Sequence, residues 1–351
     1  MRPTALVITT VHWPDDTRIR ERLIRTLSAE FSVVYASREP GPSDRSGLEY
    51  VELVGGRLRR NLSALMLALR SPWDVMILHD PETLLTGLIS RLLKRKPVVF
   101  DVHEDYPAVA HTRRWVPLWL RPTLSGVTHW ALWLAERTLT ITLAESSYRR
   151  LFTDDHPVFP NYPDTGAYPS VRSDRREEAV YLGDATLARG VDLAIEACSL
   201  VGIPLRLIGR VSTDVRRQRP ASEVDLILEG VVPNPRALRL LARGAVGLVP
   251  LHDLPNYRYS QPTKILEYLA MGLPVVASDL PGTRELVDGL DAVILVEAGD
   301  MEALASGIKN ALAPSMRQAA ISQASVIRER FSWPADELID FYRSILSEPS
   351  G

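Results

Sequence analysis

Short apolar runs alternate with helical stretches along most of this 351-residue chain, and one polar segment divides the alternation into two series. Apolar runs of this length with helices between them are the pattern of βαβ units, which build a parallel sheet with helices on both faces. The chain is therefore predicted to be α/β, with two doubly wound Rossmann-like parallel-sheet domains. The runs are "ALVITTV", "FSVVYAS", "DVMIL", "PVVFDV" and "LTITLA", then "AVYLG", "LRLIG", "DLILEG", "AVGLVP" and "PVVAS".

The predicted domains follow from where the alternation stops and restarts. Residues 1–160 form the first domain, the Pro- and Asp-rich segment 161–178 is a linker, and residues 179–330 form the second domain. Residues 331–351 contain a last helix, for which a return to the first domain is one alternative. Since ligands of doubly wound sheets bind beyond the carboxyl ends of the strands, we expect the two domains to face a cleft that holds the ligand.

Charge and cysteine content exclude some classes of protein. The 41 basic and 43 acidic residues give a net charge of −2, without the basic excess of a general nucleic-acid binder. The one cysteine, Cys198, cannot form an intrachain disulfide, which fits a reducing compartment. No apolar run is long enough for a transmembrane helix, so we expect a cytoplasmic protein, with peripheral contact to the inner face of the membrane as an open alternative.

Polar residues follow the strands of the first domain. His103, Glu104 and Asp105 come directly after "PVVFDV" and are candidates for a pocket rim, with a helix cap or a surface turn as the alternative. Asp80 precedes Pro81 after "DVMIL", where helix capping is the favoured interpretation.

The segment after the first strand, "VHWPDDTRIRE", offers further candidates. Asp16 lies just before a helix and suits its positive end, so capping accounts for one acidic residue here. His12 and Arg18 lie in the same segment. Contact with an acceptor substrate through His12, Asp16 and Arg18 is the functional alternative.

Glycines end the strands of the second domain. Gly183, Gly209 and Gly230 each follow an apolar run, and a glycine at such a place lets a ligand approach the backbone closely. Arg189 and Gly190 directly precede a helix, where an arginine beside the helix N-terminus suits phosphate oxygens.

The stretch "YSQPTKILEYLAMGLPVVASD", residues 259–279, is a predicted loop, helix and buried strand. Backbone N–H groups of Ser260, Gln261 and Thr263 could point at an anion, and Lys264 adds a positive charge. Glu267 lies one turn further along the helix, where its carboxylate can accept hydrogen bonds from sugar hydroxyls. A plain ion pair three residues apart on the helix is the structural alternative.

Several stretches together resemble the retaining glycosyltransferases of family 4, which have the GT-B fold. In the first domain these are "DDTRIRERLIRTL", "HDPETLL" and "FDVHED"; in the second they are "FPNYPD", "YLGDATLARGVD" and "SQPTKILEYLAMGLPVVASD". The resemblance covers nearly the whole chain. It implies transfer of a sugar, with retention, from a nucleotide-diphosphate sugar to a glycan or lipid-linked acceptor, in bacterial polysaccharide or cell-envelope glycan synthesis.

The resemblance also implies roles for individual residues. Arg189 and Lys264 would neutralise the diphosphate, Glu267 would hold the ribose, and His103 would lie at the donor sugar near the reacting centre. No essential metal and no other cofactor is expected, since the chain has no Asp-x-Asp motif. The implied donor-binding set is Gly183, Arg189, Gly209, Gly230, Val231, Tyr259, Ser260, Gln261, Thr263, Lys264 and Glu267.

Three positions depart from the family pattern. Tyr259 and Asp184 stand where the family often has a glutamate and an arginine, and "TTVHW" replaces a glycine pair after the first strand. These departures motivate the alternative of a non-catalytic nucleotide-sugar-binding partner subunit. A UDP-sugar epimerase is a further alternative, which the stretch "PTKILEYLAMGLPVV" disfavours.

Residues 106–135 contain no Asp or Glu but four of the seven tryptophans of the chain. Arginine and tryptophan together favour an anionic membrane interface. The alternative is that the tryptophans pack in the core of the first domain. The candidates for membrane contact are Arg113, Arg114, Trp115, Trp119 and Arg121.

Overall fold

The computed structural model describes residues 2–39, 41, 48–112, 116–171, 176–217 and 224–347. The chain divides into two units. Unit 1 comprises Met1–Asn161 and Trp333–Gly351, and unit 2 comprises Tyr162–Ser332. Each unit contains one six-stranded sheet in which every ladder is parallel.

The sheet of unit 1 has the strand order β3-β2-β1-β4-β5-β6. Its strands are β1 Thr4–Ile8, β2 Ser32–Ser37, β3 Glu49–Glu52, β4 Val75–Leu78, β5 Val98–Val102 and β6 Thr140–Leu143. A π-helix Thr17–Ile24 continues into α1 Arg25–Leu27, and the further helices are α2 Arg57–Arg70, α3 Leu84–Lys94, α4 Tyr106–Thr112 and α5 Arg121–Thr138.

The sheet of unit 2 has the order β12-β11-β10-β7-β8-β9, which is the same winding with the strands counted from β7. Its strands are β7 Ala179–Leu182, β8 Leu205–Ile208, β9 Leu226–Gly230, β10 Val246–Val249, β11 Val275–Ser278 and β12 Val293–Val296. Its helices are α6 Val191–Val201, α7 Thr213–Arg216, α8 Asn234–Leu241, α9 Thr263–Ala270, α10 Pro281–Val287, α11 Met301–Ala311 and α12 Pro314–Arg330.

The central strands are apolar throughout because both faces of each sheet are covered. In β1, Leu6 and Ile8 pack into the core on one face of the sheet, whereas Ala5 and Val7 pack into the core on the other. The same division occurs in unit 2, where Val180 belongs to one core and Tyr181 to the other. The predicted α/β fold with two doubly wound sheets is confirmed.

The last helix, α13 Ala335–Ser347, packs on unit 1. Its Leu338 and Tyr342 join the core that also contains Ile19 of the π-helix. Just before it, the indole Nε1–H of Trp333 donates to Thr26 Oγ1 at 2.9 Å. The sequence left two alternatives for this helix, and these contacts place it with the first sheet.

All ten predicted strands are present, but two further strands were not predicted. β3 lies at one edge of the first sheet. Its two end residues are exposed glutamates and its two middle residues are half-buried, so no apolar run marks it. β12 lies at one edge of the second sheet and is half-buried along its whole length. None of the described helices is long and apolar enough to cross a membrane.

Candidate functional site

In both sheets the winding reverses between the first and fourth strands, which is where doubly wound proteins bind ligands. In unit 2 these strands are β7 and β10, and their ladder contains two residue pairs, Ala179–Val246 and Val180–Gly247. Further along, the N–H of Leu182 donates instead to the hydroxyl of Tyr268 at 2.7 Å. The two strands therefore separate towards their carboxyl ends.

Gly183 leaves β7 with a φ of 106°, a conformation that favours glycine. A Cβ on Gly183 would lie 3.6 Å from Lys264 Nζ and 3.9 Å from Arg189 Nη1. The backbone of Gly183 is thus next to two cationic groups from different parts of the chain, and the missing side chain leaves room beside them.

The ammonium group of Lys264 is buried and has no hydrogen-bond partner among the described residues. It lies 4.1 Å from the centroid of the Tyr181 ring, which gives it a cation–π contact. Burial and the charge of Arg189 lower the pKa of Lys264 to about 7, against the opposing effect of Glu267 and Asp184. A buried cation without a hydrogen-bonded partner is costly, so this site suits an incoming anion.

Arg189 ends a short 3₁₀ turn, Leu187–Arg189, directly before α6. Its Nη1 donates to the backbone carbonyl of Asp184 at 3.3 Å, which holds the guanidinium near the exit of β7. The burial of Arg189 opposes its charge, but nearby Tyr181 and Tyr257 keep its pKa above the usual value. Arg189 is therefore a permanent positive charge beside Lys264.

Glu267 lies one turn after Lys264 on α9 and is half-buried. The alternative, a plain ion pair between them, gives Lys264 no hydrogen bond, since Nζ has no such partner among the described residues. Tyr259 is 41% exposed, so its side chain lies at the surface of unit 2.

Two expectations for the backbone of unit 2 require correction. The N–H of Ser260 donates to the carbonyl of Tyr257 at 3.1 Å, so it is engaged within the loop rather than directed at a ligand. A Cβ on Gly209 would lie 2.3 Å from the carbonyl oxygen of Gly183, so the close approach here is that of a neighbouring loop. Gly209 N–H also donates to Gly230 O at 2.9 Å, which ties the ends of three strands together.

The remaining donor candidates lie around this edge of unit 2. Gly230 ends β9 with a φ of 70°, and the following Val231 is exposed. Gln261 and Thr263 are half-buried residues on either side of Pro262, which is the N-cap of α9. Of the donor candidates, Gly183 and Arg189 are the ones shown to lie beside Lys264.

At the corresponding edge of unit 1, the buried carboxylate of Asp80 connects the loops after β1 and β4. It accepts hydrogen bonds from Thr9 Oγ1 at 2.8 Å and from the Thr10 N–H at 2.6 Å. Asp80 is the N-cap residue of the following helical turn, as expected, but its side chain makes no capping hydrogen bond. Its charge instead fixes the segment that leads to His12.

His12 and His103 meet at this edge although they are far apart in sequence. Their Nε2 atoms are 2.8 Å apart, and His12 Nδ1 lies 3.2 Å from the carboxylate of Asp16. Burial and the neighbouring His12 lower the pKa of His103 to about 3. Burial opposes the charge of His12, but the hydrogen bond and the negative charge of Asp16 raise its pKa to about 9.

Arg18 has a structural role that the sequence did not predict, whereas Asp105 has the helix-cap role that was given as its alternative. The buried guanidinium of Arg18 pairs with Asp101, with Nε 2.9 Å from Oδ2, and it also donates to the carbonyl of Phe159. The carboxylate of Asp105 pairs with Arg150 and accepts the N–H of Ala108 at the start of α4. The Arg18–Asp101 pair is buried and the Asp105–Arg150 pair is partly buried, so both side chains already have charged partners.

Asp16 and Glu104 are the other acceptor-side candidates. Asp16 caps the π-helix through the N–H groups of Arg18 and Ile19, as expected, and also faces His12. Glu104 is half-buried beside His103, and its negative charge helps to raise the pKa of His12.

Among the described residues, His79, Asp101 and His103 form the group that could ligate a metal. Asp101 is poorly suited to this, since Arg18 bonds to both carboxylate oxygens and Thr142 Oγ1 donates to Oδ1 at 2.9 Å. The expectation of no essential metal stays a prediction.

An exposed apolar surface, here called the tryptophan surface, lies on α5 and the turn before it. Trp119 is 76% exposed, Trp130 is 60% exposed and Trp133 is 42% exposed. The alternative that these tryptophans pack in the core is therefore wrong. Leu118 and Val127 are also exposed, and Arg121 is half-buried. Arg113, Arg114 and Trp115 lie outside the described residues.

Sequence reasoning missed Tyr181, Tyr268 and the pairing of His12 with His103. Both tyrosines are buried in the cores of unit 2. Their contacts with Lys264 and Leu182 depend on which side chains face each other across the sheet. A tyrosine two residues before the glycine at a strand end was the one signal available.

The fold and a family match define the class of protein. Two doubly wound parallel sheets in one chain are the architecture of GT-B glycosyltransferases. Residues 176–313, within unit 2, match the family described as glycosyl transferases group 1. Unit 2 thus contains a glycosyltransferase group 1 domain, and the chain has the GT-B fold.

Solved structures support this fold over nearly the whole chain. Sucrose-phosphate synthase from Thermosynechococcus elongatus is similar with a TM-score of 0.76 and 16% identity, covering 99% of this chain and 100% of that chain. HepE from Anabaena, in complex with UDP and glucose, has a TM-score of 0.74 and 16% identity, covering 98% of this chain and 99% of that chain.

WaaG, a glycosyltransferase involved in lipopolysaccharide biosynthesis, has a TM-score of 0.69 and 13% identity, covering 99% of this chain and 100% of that chain. A comparison with curated protein sequences gives no match. At these identities the likeness to solved structures concerns the fold.

Proposed function

We propose that this protein is a retaining glycosyltransferase that moves a sugar from a nucleotide-diphosphate sugar to a glycan or lipid-linked acceptor. The observation that carries the proposal is the buried ammonium of Lys264, which lacks a hydrogen-bond partner among the described residues and lies beside Arg189. Two adjacent cations next to an open glycine suit a diphosphate, which has two negative groups in a row.

The remaining unit 2 candidates complete the proposed donor site. Glu267 lies one turn beyond Lys264, at a distance along α9 that suits the ribose hydroxyls of a nucleotide whose diphosphate contacts Lys264. Gly230 and the exposed Val231 are proposed to contact the base. The HepE structure holds UDP and glucose, which supports a nucleotide sugar as the donor class.

In the proposed reaction the bond between the anomeric carbon and the diphosphate oxygen breaks. The acceptor oxygen bonds to the anomeric carbon on the same face, and its proton passes to the leaving phosphate. Lys264 and Arg189 stabilise the negative charge that develops on the diphosphate. His103 of unit 1 is the residue proposed to act at the donor sugar. Retention rests on the resemblance to family 4.

A screen of ligands and products tests this function. Thermal-shift measurements with UDP, GDP and ADP, and with their sugars, should show stabilisation by one nucleotide family. Transfer with that donor should give a product of the same anomeric configuration, determined by NMR, and should continue in EDTA. Lys264→Ala should abolish transfer. Donor binding without transfer to any glycan or lipid-linked acceptor would favour the non-catalytic binding subunit instead.

The setting proposed for this activity is bacterial polysaccharide or cell-envelope glycan synthesis at the membrane. The tryptophan surface supports it, because tryptophans concentrate where protein meets lipid headgroups and residues 106–135 contain no acidic side chain to repel anionic lipids. Trp130 and Trp133 are three residues apart on α5, so they lie on one side of the helix. We propose an anionic bilayer as the occupant of this surface.

Liposome co-sedimentation tests the membrane proposal. The protein should bind vesicles that contain phosphatidylglycerol in preference to neutral vesicles. The triple variant Trp119→Ser, Trp130→Ser, Trp133→Ser should lose this binding. A control variant, Leu200→Ser with Val326→Ser, removes exposed apolar side chains of unit 2 and should bind as the wild type does. Equal binding to neutral and anionic vesicles would overturn the proposal.

A further inference from the structure

The contacts of His12 and His103 in unit 1 show which of their ring nitrogens carry protons. The two Nε2 atoms are 2.8 Å apart, which is a hydrogen-bond distance. A hydrogen bond between two ring nitrogens needs a proton on one of them and a lone pair on the other. Two protonated Nε2 atoms would repel at this distance, and two bare ones would have no hydrogen to share.

The other nitrogen of each ring faces an acceptor. His12 Nδ1 lies 3.2 Å from a carboxylate oxygen of Asp16, and His103 Nδ1 lies 3.1 Å from the backbone carbonyl of Asp101. The hydroxyl of Tyr106 lies 3.3 Å from His103 Nδ1, but its own hydrogen goes to the carbonyl of His79 at 2.8 Å. Both Nδ1 atoms therefore carry a proton, and the pair of rings has three protons and one positive charge.

The surroundings decide which ring carries the charge. His12 is next to Asp16, and its Nε2 also lies 3.4 Å from a carboxylate oxygen of Asp80. Glu104 adds a third negative group near His12. His103 is close to His79, and the charge of nearby Asp101 is balanced by Arg18. The charge therefore belongs to His12.

We infer that His12 donates its Nε2–H to His103 Nε2 and thereby holds His103 as the neutral tautomer with the proton on Nδ1. His12 is then a positioning residue for His103. This inference rests on the proposed function only for its effect on catalysis, since the proton arrangement itself exists without any substrate. A neutral ring keeps a positive charge away from the oxocarbenium-like sugar that forms as the donor bond breaks.

The segment "TTVHW" after β1 positions the ring of His12. Asp80 fixes Thr9 and Thr10, and the His12 N–H donates to Thr9 Oγ1 at 3.0 Å. The loop after β1 is therefore held so that the His12 ring reaches the residue after β5. The glycine pair of family 4 at this place could not supply a charged donor.

Histidine side-chain NMR on protein labelled with ¹⁵N-histidine tests the inference directly. At pH 7 one of the seven histidines should show two N–H nitrogens, and another should show the neutral form protonated on Nδ1 from pH 5.5 to 9. His12→Phe should remove the first signal and raise the pKa of His103, which burial still holds below the ordinary histidine value of about 6.5. His12→Gln keeps an N–H donor and should preserve the Nδ1 tautomer.

The control variant is His111→Gln, which replaces an exposed histidine of the same unit and should change neither signal. A His103 protonated on Nε2 in the wild type, or a His103 that titrates there near its ordinary value, would overturn the inference. A change in either signal on addition of EDTA would also overturn it, because a bound metal rather than a shared proton would then set the protonation of the rings. These NMR measurements need no nucleotide sugar. They can therefore refute the inference while glycosyl transfer is observed, and they can support the inference when no transfer is observed.

The catalytic consequence is measured separately. In the wild type, kcat/KM should show no ionisation of His103 between pH 5.5 and 9. In His12→Phe it should fall towards the acid end of this range, because the raised pKa of His103 lets that ring become protonated there, and His12→Gln should reduce this effect. An unchanged pH profile in His12→Phe would remove the catalytic part of the inference and leave the NMR result standing.

Discussion

The ammonium nitrogen of Lys264 lies 4.1 Å from the centroid of the Tyr181 ring, where β7 and β10 separate. The ring gives the cation a contact that favours charge without giving it a negative partner. Burial and Arg189 nevertheless lower its pKa to about 7. The charged form of Lys264 should therefore be stabilised by a bound anion, so ligand binding should increase the protonation of Lys264.

Binding of a nucleoside diphosphate should therefore take up protons at pH 8. In the free protein most Lys264 is neutral at this pH, because its pKa is about 7. The negative diphosphate favours the charged form, so about one proton should be bound per nucleotide. Calorimetry in two buffers of different ionisation enthalpy measures this number. The same titration at pH 6 should show little uptake, and uptake that does not change between pH 6 and 8 would contradict the prediction.

Lys264→Met should raise the melting temperature of the ligand-free protein at pH 6. The folded pKa of about 7 is below the ordinary value of 10.5, so the unfolded chain binds more protons between these pH values. The cost of the buried charge is therefore fully present below pH 7 and disappears as the pH rises to 10.5.

The expected gain at pH 6 is roughly 2–4 °C, and it should shrink at pH 9.5. Differential scanning calorimetry at the two pH values measures it. Lys309→Met, which removes an exposed lysine of α11, is the control and should leave the melting temperature unchanged at both. A lower melting temperature of Lys264→Met at pH 6 would show that the ammonium is not a strained group.

Tyr181→Leu should weaken binding of the diphosphate more than Tyr181→Phe. Both variants remove the hydroxyl that donates to the carbonyl of Asp184 at 3.1 Å, but phenylalanine keeps the ring beneath Lys264. A cation–π contact of about 2 kcal/mol corresponds to a rise in Kd of about 30-fold for the leucine variant. Isothermal titration measures both affinities, with circular dichroism to check folding. Equal losses in the two variants would assign the effect to the hydroxyl.

Asp101→Asn should strongly destabilise unit 1. The variant leaves the buried guanidinium of Arg18 without its negative partner, at a cost of about 3–5 kcal/mol. Asp279→Asn is the matched control, because it breaks the exposed pair with Arg284 and should leave the melting temperature nearly unchanged. Thermal unfolding followed by circular dichroism compares the two. Similar melting temperatures for both variants would mean that the Arg18–Asp101 pair contributes little.

The fold was predictable because buried parallel strands require continuous apolar runs, and ten of the twelve strands have a run that was recognised. β3 could not be found in this way, since edge exposure lets its sequence be polar. Arg189 and Lys264 were predictable as cations after strands. That they lie beside the same glycine depends on the separation of β7 and β10, which local sequence does not encode.

The pairing of His12 with His103 was less accessible to sequence reasoning. Each residue follows a strand, but β4 lies between β1 and β5 in the sheet. The hydrogen bonds of Asp80 to Thr9 and Thr10 help to hold the loop after β1 where the His12 ring meets His103. The structural role of Arg18 was hidden for the same reason, because its partner Asp101 lies 83 positions away.

The affinity of Lys264→Met for the nucleoside diphosphate that stabilises the wild type tests the central claim most directly. Isothermal titration at pH 7 should give a Kd at least about 10-fold higher than that of the wild type, since a charged hydrogen bond contributes about 1.5–3 kcal/mol. Lys309→Met should bind as the wild type does. Wild-type affinity in Lys264→Met would contradict the account, because the unpaired ammonium would then have no part in holding the donor.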